Sequence, residues 1–102
     1  MRIIKEKFLK AAIIRHPKAA ASLSAWRKLV LAARWNSLVD VRRTFPSADA
    51  VRVGSGHNVY VFNICKNDFR LIAAIHFNAQ RLFTLRFMTH AEYSKNKWKL
   101  EL

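Results

Sequence analysis

The chain has 102 residues, 52% of them hydrophobic, and 19 lysine and arginine residues against 6 aspartate and glutamate residues give it a formal net charge of +13. This length and hydrophobic content suit one domain with one core, and they exclude an intrinsically disordered chain and a multidomain enzyme. The single cysteine, Cys65, excludes an intrachain disulfide and a cysteine-based zinc site. We therefore expect one domain over residues 1–102, with no metal and no cofactor, in a reducing cytoplasm. No hydrophobic run approaches the length of a membrane span, so no such span is expected.

The N-terminal half is predicted to be mainly helical. A short edge strand is predicted over Arg2 to Lys5, followed by a helix from Glu6 to Arg15 that Pro17 ends. A second helix is predicted from Lys18 to Trp35, because hydrophobic residues recur there at spacings of three and four. A short helical turn is expected from Ser37 to Arg43.

The C-terminal half is predicted to be a strand meander, because its residues become β-branched and aromatic and alternate with a period of two. Strands are predicted over Val51 to Val53, Asn58 to Ile64, Phe69 to Phe77 and Leu82 to Met88. Short connections predict antiparallel neighbours. The expected fold is therefore α+β, with N-terminal helices packed on one face of a C-terminal antiparallel β-sheet and the other face left available.

The lengths of the turns predict which side chains share a face of this sheet. A two-residue turn at Lys66-Asn67 places Asn63 opposite Arg70. A three-residue loop over residues 78–80 brings Arg86 to the same face. This loop places Arg86 opposite Ile72. Ile72 lies two residues after Arg70 and therefore on the same face of the strand.

Arg70 interrupts a strand that is otherwise hydrophobic on both faces. A guanidinium in such a place needs an anionic partner, because an unpaired buried charge is costly. The sequence leaves two candidates for that partner, an acidic side chain and a phosphate.

The segment from Met88 to Lys95 places acid and base groups next to the predicted arginine face. Metal-free RNA cleavage needs a base for the 2′-hydroxyl proton, cations that stabilise the phosphorane and an acid for the leaving 5′-oxygen. His90 and Tyr93 are candidates for proton transfer, and Arg70 and Arg86 for charge stabilisation. The net charge also favours nucleic acid as the partner class, because a domain this basic attracts polyanions.

Three segments of the chain carry a family resemblance. The stretches Tyr60 to Ile64, Phe69 to Ala73 and Arg86 to Tyr93 resemble the HigB toxins of bacterial type II toxin-antitoxin modules. The resemblance runs along the full chain and is strongest from residue 58 to 95. It implies a RelE-like fold of the microbial-ribonuclease type and a toxin that cuts mRNA on the ribosome, leaving a 2′,3′-cyclic phosphate and inhibiting translation and growth.

The resemblance also implies roles for individual residues. Arg70 matches the strand arginine that these toxins use on the scissile phosphate, and Arg86 matches a second arginine. Tyr93 lies near the C-terminal acid–base position, and His90 belongs to the Thr-His-Xaa-Glu-Tyr motif of HigB toxins.

One departure from the family concerns the general base. RelE carries lysines on the strand before the arginine, whereas Tyr60 to Asn63 contain none. Three candidates for the base stay open, namely His90, Lys66 and a group of the ribosome.

Substrate binding is predicted for residues near Arg70 and for basic residues of the helical half, which would supply salt-dependent docking to ribosomal RNA. The predicted substrate-binding residues are Asn63, Lys66, Lys95, Lys28, Arg34, Arg42 and Arg43. The implied partners are the ribosome with its mRNA and a neutralising HigA-type antitoxin with a helix-turn-helix domain. Operator DNA is expected to be bound only through the antitoxin complex, and no membrane is expected as a partner.

A structural interpretation stands beside each functional one. Arg70 and Arg86 can instead pair with Asp68, Glu92 or the C-terminal carboxylate. His90 can serve as a helix cap and Tyr93 as a packed aromatic residue. Structural positions are also favoured for the remaining aromatic candidates. His57 is expected in a loop and His76 in the core. The three tryptophans are expected in the core or at partner contacts, namely Trp26, Trp35 and Trp98.

Two alternative functions also stay open at this point. The first is a noncatalytic basic protein that binds RNA or the ribosome and blocks translation without needing His90 or Tyr93. The second is a membrane-active basic protein, which the predicted sheet disfavours.

Overall fold

The computed structural model describes all 102 residues and contains one five-stranded sheet and five α-helices. The strands are β1 (Arg2–Ile4), β2 (Asp49–Arg52), β3 (Asn58–Ile64), β4 (Phe69–His76) and β5 (Arg81–Thr89). The helices are α1 (Lys7–Arg15), α2 (Ala20–Ala32), α3 (Leu38–Thr44), α4 (His90–Ser94) and α5 (Lys97–Glu101). None of these helices combines the length and the hydrophobicity that crossing a membrane requires.

The α+β fold class is confirmed, and the strands of the C-terminal half lie within two residues of their predicted ends. The strand order is β1-β5-β4-β3-β2. The sheet is mixed rather than wholly antiparallel, because β1 pairs in parallel with β5, with Ile3 beside Leu82. A long connection of helices and strands joins β1 to β5, so no short turn forces these two strands to be antiparallel.

The second helix is shorter than predicted. Residues Pro17–Ala19 form a separate 3₁₀ turn, and α2 ends at Ala32 because Ala33 is extended. The reason lies in the tertiary contacts of Trp35, which is 2% exposed. Its backbone N–H donates to the side-chain oxygen of Gln80 at 3.2 Å, and the amide nitrogen of Gln80 donates to the Trp35 carbonyl at 2.5 Å. A helix continued to Trp35 would lose these bonds.

The larger hydrophobic core lies between helices α1 to α3 and one face of the sheet. Helix α2 contributes Leu23, Trp26 and Val30 at the predicted spacing, and these meet Phe62 of β3 and Leu71 of β4. The rings of Trp26 and Phe62 meet edge to face, with their centroids 5.5 Å apart. Since β4 is the central strand, its hydrophobic residues are covered on both sides.

The sequence predicted that the other face of the sheet is available. The structure differs, because the C-terminal helices cover part of this face. Trp98 of α5 is 3% exposed and packs with Val61, Ile72 and Met88 in a second, smaller core. The backbone N–H of Gly54 donates to a carbonyl of α5 at 2.8 Å and fixes the end of the chain to the β2–β3 loop. The part of the sheet that these helices cover ends beside Arg70, where Trp98 stacks on Tyr93.

The predicted register is confirmed at both positions. Asn63 pairs with Arg70 between β3 and β4, and Ile72 pairs with Arg86 between β4 and β5. Because neighbouring positions across a sheet share a face, Asn63, Arg70 and Arg86 lie on the face opposite the larger core. The alternation of side chains along β4 thus sets the position of the candidate site.

The register at Arg86 is correct even though the predicted loop is too short. Residues 77–80 connect β4 to β5, one residue more than expected. A β-bulge then places Leu85 as an extra residue in β5, so that Ala73 pairs with Thr84 while Ile72 still pairs with Arg86. The two differences cancel, and Arg86 stays on the face of Arg70.

The buried position of Leu71 gives a test of the core. Leu71 is fully buried, whereas Leu29 of α2 is 48% exposed. We expect Leu71→Ala to lower the free energy of unfolding by about 2–5 kcal/mol, because it leaves a cavity in the central strand. The matched change Leu29→Ala should lower it by less than about 1 kcal/mol, since no cavity forms. Urea denaturation measures both values, and equal losses would contradict the packing described.

Candidate active site on the second face of the sheet

Arg70 is the centre of the candidate site. It lies in the central strand β4 and is only 8% exposed. Its Nη1 donates to the carbonyls of Asn67 at 3.2 Å and Phe69 at 3.1 Å, and its Nη2 donates to the side-chain oxygen of Asn67 at 2.6 Å. These acceptors are neutral, so they orient the guanidinium and leave its charge uncompensated.

Neither arginine of this face forms an ion pair. The four ion pairs of the structure are Lys18 with Asp68, Arg27 with Glu6, Arg42 with Asp49, and Arg43 with Asp40. The alternative in which Asp68, Glu92 or the C-terminal carboxylate partners Arg70 or Arg86 is therefore wrong for this structure. The structure thus gives Arg70 no acidic side chain as a partner.

Tyr93 lies against Arg70. The Arg70 guanidinium carbon is 5.4 Å from the centroid of the Tyr93 ring, and the ring stacks on Trp98 with 5.3 Å between centroids. Burial raises the pKa of Tyr93, the charge of Arg70 lowers it and the charge of Asp49 raises it. The pKa lies above its ordinary value, so the phenol is protonated at neutral pH and can donate a proton.

The short helix α4 positions Tyr93. Thr89 and Glu92 form a capping box, in which the Thr89 hydroxyl accepts from the backbone N–H of Glu92 at 3.2 Å and the Glu92 carboxylate accepts from that of Thr89 at 3.1 Å. The backbone N–H of His90 also donates to the carbonyl of Asp68 at 2.9 Å. These bonds fix the start of α4 to the end of β5 and to the β3–β4 turn, which carries Asn67.

Arg86 lines a cleft of about 440 Å³ beside this arrangement. We call it the C-terminal cleft, and the residues that line it are Arg15, Arg86, Phe87, Met88, Glu92, Lys95, Lys97, Trp98 and Glu101. The Nη1 of Arg86 donates to the carbonyl of Leu85 at 2.8 Å, and no other hydrogen bond holds its guanidinium. Lys95, predicted to bind substrate, shares this cleft with Arg86.

The other predicted residues near Arg70 form no hydrogen bond with its side chain. Asn63 is exposed and pairs with Arg70 across the sheet, and Lys66 is exposed in the turn that contains Asn67. His90 is exposed at the start of α4, with its Nδ1 3.1 Å from the Ser94 hydroxyl. Nε2 of His90 and the amine of Lys66 form no hydrogen bond or ion pair within the protein.

Four predicted RNA-binding residues lie on the helical side of the sheet, away from Arg70: Lys28, Arg34, Arg42 and Arg43. Lys28 and Arg34 are exposed and form no ion pair, whereas Arg42 is paired with Asp49 at 3.0 Å and Arg43 with Asp40 at 3.3 Å. Of these four, Arg42 is linked to the catalytic candidates through its partner Asp49, whose charge raises the pKa of Tyr93.

Two residues that hold the site were not predicted from the sequence. Asn67 orients Arg70, and its position in a turn three residues before an isolated strand arginine is the only sequence feature that could have indicated it. Trp98 supports Tyr93 and donates from its indole nitrogen to the Tyr93 carbonyl at 3.1 Å.

The tryptophans are buried, as favoured, but the core position of His76 was wrong, because this residue is exposed, with its ring 4.9 Å from that of Phe83. His57 is exposed in a loop, as favoured. The structure groups no three histidine, cysteine, aspartate or glutamate side chains in a way that would hold a metal ion.

Known proteins resemble this chain over most of its length. The sequence profile that matches residues 19–96 is that of the HigB toxin family, described as the RelE-like toxic component of a toxin-antitoxin system. The mRNA interferase toxin HigB of Escherichia coli K12 is 30% identical over 93 residues, which cover 91% of this chain and 88% of that protein. The mRNA interferase HigB of Shigella flexneri matches to the same extent. The mRNA interferase HigB of Escherichia coli O6:H1 is 26% identical over 95 residues, 93% of this chain and 90% of that protein.

The match covers most of the chain and includes Arg70, Arg86, His90 and Tyr93. The protein is therefore the RelE-like toxic component of a toxin-antitoxin system. Within that class, the chain belongs to the HigB toxin family.

The contact between Arg70 and Tyr93 can be tested by ionisation of the phenol. Removing the positive charge with Arg70→Ala should raise the pKa of Tyr93 further, because that charge lowers it in the native protein. The chain has only two tyrosines, so a spectrophotometric titration in a Tyr60→Phe background follows Tyr93 alone. An unchanged midpoint in the Arg70→Ala protein would contradict the contact.

Proposed function

We propose that this toxin is an mRNA endoribonuclease that cleaves mRNA on the ribosome and so inhibits translation and growth. The observation that supports the proposal is Arg70, a nearly buried guanidinium with neutral hydrogen-bond partners, no carboxylate and a protonated phenol against it. The names of the relatives support an activity on mRNA.

The reaction that fits these groups is an intramolecular transesterification without a metal ion. The 2′-oxygen attacks the adjacent phosphorus as a base takes its proton, so that an O2′–P bond forms. The P–O5′ bond breaks, and the 5′-oxygen takes a proton from an acid. The products are a 2′,3′-cyclic phosphate and a 5′-hydroxyl, and no oxidant, reductant or water is consumed.

Charge stabilisation is the role of the arginines. The phosphorane carries more negative charge than the ground-state phosphodiester, so a guanidinium that is already oriented lowers the barrier without reorganising. Asn67 supplies this orientation for Arg70. Arg86 has a single hydrogen bond, to Leu85, so its remaining donors are available to the same phosphate or to the next one.

Proton transfer is the role of the residues on α4. Tyr93 is protonated at neutral pH and adjoins Arg70, so it is the candidate acid for the leaving 5′-oxygen. His90 and Lys66 are the candidate bases that this chain offers, and a group of the ribosome is the third. His90 is favoured among the residues of the chain, because it lies on α4, the helix that carries Tyr93, and its Nε2 forms no hydrogen bond.

The remaining cations fit a docking role. Lys28 and Arg34 lie exposed on the helical side, where they can contact ribosomal RNA while Arg70 faces the mRNA. A toxin of this family has an antitoxin partner, and we infer from the resemblance to HigB toxins that it is of the HigA type with a helix-turn-helix domain. The net charge of +13 favours an acidic surface on that partner. Operator DNA would then be bound through the antitoxin, and the toxin would act in the cytoplasm.

The proposal predicts the effect of removing Arg70. We expect Arg70→Ala to abolish growth arrest and to lower mRNA cleavage by about a hundredfold to a thousandfold, as for the loss of one oriented electrostatic donor. Mapping of RNA 5′ ends after brief induction measures cleavage within translated codons. The matched control is Arg52→Ala, which removes an exposed arginine of β2 outside the site.

The appearance of new 5′ ends separates a nuclease from a noncatalytic protein that blocks the ribosome. New 5′ ends with the wild type and the control, but not with Arg70→Ala, support the proposal. Growth arrest without new ends would favour a noncatalytic protein that blocks the ribosome. In that case His90→Gln and Tyr93→Phe should leave the arrest intact, whereas the nuclease proposal predicts that it is lost while ribosome binding is retained.

Asn67 offers a second test, since it acts through Arg70 as a positioning residue. Asn67→Ala removes the 2.6 Å hydrogen bond but keeps the charge of Arg70, so we expect cleavage to fall about tenfold or more while ribosome binding stays unchanged. Asn78→Ala, an exposed asparagine in the β4–β5 loop, is the matched control. Equal cleavage by the two variants would show that Arg70 needs no help from Asn67.

A further inference from the structure

The C-terminal cleft brings together cations from three distant parts of the chain. Arg15 comes from the end of α1, Arg86 from β5, and Lys95 and Lys97 from the C-terminal segment. Only the two arginines and the two lysines are cationic, and none of them is among the four ion pairs of the structure. This positive charge therefore has no partner within the protein.

The acids of the cleft do not neutralise this charge. Glu92 is one of the two acidic residues that line it, and its carboxylate accepts hydrogen bonds from the backbone and the hydroxyl of Thr89. Glu101 is the other, and it forms no ion pair. Four cations therefore face two acids, one of which is engaged in capping α4, and an anionic ligand is favoured.

The floor of the cleft is hydrophobic and partly aromatic. It is formed by the nearly buried Phe87, Met88 and Trp98, while charged side chains make up the rest of the lining. Phe87 belongs to the larger core and the other two to the smaller one, so the floor lies around the edge of β5. A phosphate alone would need only the cations. A ligand that combines a planar hydrophobic part with an anionic part uses both the floor and the cations, and a nucleotide is such a ligand.

The cleft is continuous with the site at Arg70. Met88 pairs with Arg70 across β4 and β5, and Arg86 lies two residues earlier on the same face. Strand β1 pairs only with residues 81–83 of β5, so the outer edge of β5 has no strand partner beside Arg86 and Met88. An RNA strand with its scissile phosphate at Arg70 can leave the site along this open edge.

We propose that the C-terminal cleft binds the nucleotide next to the scissile phosphate of single-stranded RNA. Arg15 and Lys97 contact its phosphates, and the base lies on the floor beside Trp98. The volume of the C-terminal cleft, about 440 Å³, is within the range of small-ligand sites. The inference rests on the proposed function, since it assigns the flanking part of the same substrate.

Binding of an uncleavable RNA tests the inference without requiring catalysis. The probe is a single-stranded 2′-O-methyl RNA hexamer, which lacks the attacking hydroxyl. The protein has three tryptophans, and their indole N–H signals in NMR spectra report separately on the two faces of the sheet. We expect the hexamer to shift the signal of Trp98 and to leave those of Trp26 and Trp35, which lie in the larger core, unchanged.

Two double variants of equal charge separate the cleft from general electrostatic attraction. Arg15→Ala/Lys97→Ala removes two cations of the cleft, and Lys7→Ala/Lys10→Ala removes two exposed cations of α1 outside it. We expect the first pair to weaken hexamer binding at least tenfold more than the second. It should also reduce the slope of log Kd against log salt concentration by about 1.4, because two phosphate contacts of a single strand are lost.

A Trp98 shift that is lost in Arg15→Ala/Lys97→Ala supports the inference, with thermal melting confirming that both double variants are folded. Equal weakening by the two double variants, or hexamer binding without a Trp98 shift, overturns it. Tighter binding of a polyglutamate peptide than of the hexamer at the same cleft would assign the cleft to a protein partner and also overturn it. None of these results depends on cleavage, so a failure of the nuclease proposal would appear separately, as wild-type protein that produces no new RNA ends.

Discussion

The site depends on one unusual placement, a guanidinium in the central strand of the sheet with no carboxylate to balance it. Removing a charge from water without a counter-ion costs several kcal/mol, so a buried arginine is normally paired. Arg70 instead has two neutral acceptors from Asn67 and the face of Tyr93. In the proposed function, this placement holds a positive charge in a fixed orientation for the scissile phosphate, whose reaction requires such a charge.

The rest of the fold can be understood as support for this placement. The larger core gives β4 a rigid side, because helices α1 to α3 cover it with Leu71 at the centre. The bulge at Leu85 keeps Arg86 on the face of Arg70. The capping box of α4 and the buried Trp98 bring Tyr93 over the guanidinium from the end of the chain. Elements that are distant in sequence therefore meet around the guanidinium of Arg70.

Sequence alone predicted what depends on covalent geometry and missed what depends on tertiary packing. The pairing of Asn63 with Arg70 could be predicted, because strand alternation and a short turn determine it. The face of Arg86 was predicted correctly only because a longer loop and a bulge offset each other, and bulges leave little trace in sequence. The bond from Asn67 to Arg70 and the parallel pairing of β1 could not be predicted, since a side-chain rotamer and a long connection decide them.

The most direct test of the account is the single-turnover rate at which saturating toxin cleaves a defined mRNA on purified ribosomes, compared between wild type and Arg70→Lys. Lysine keeps the charge but loses the planar donor pair that Asn67 orients. The account predicts a loss of at least about tenfold with unchanged ribosome binding, because orientation and not charge alone stabilises the phosphorane. An Arg70→Lys protein that cleaves at the wild-type rate would contradict it.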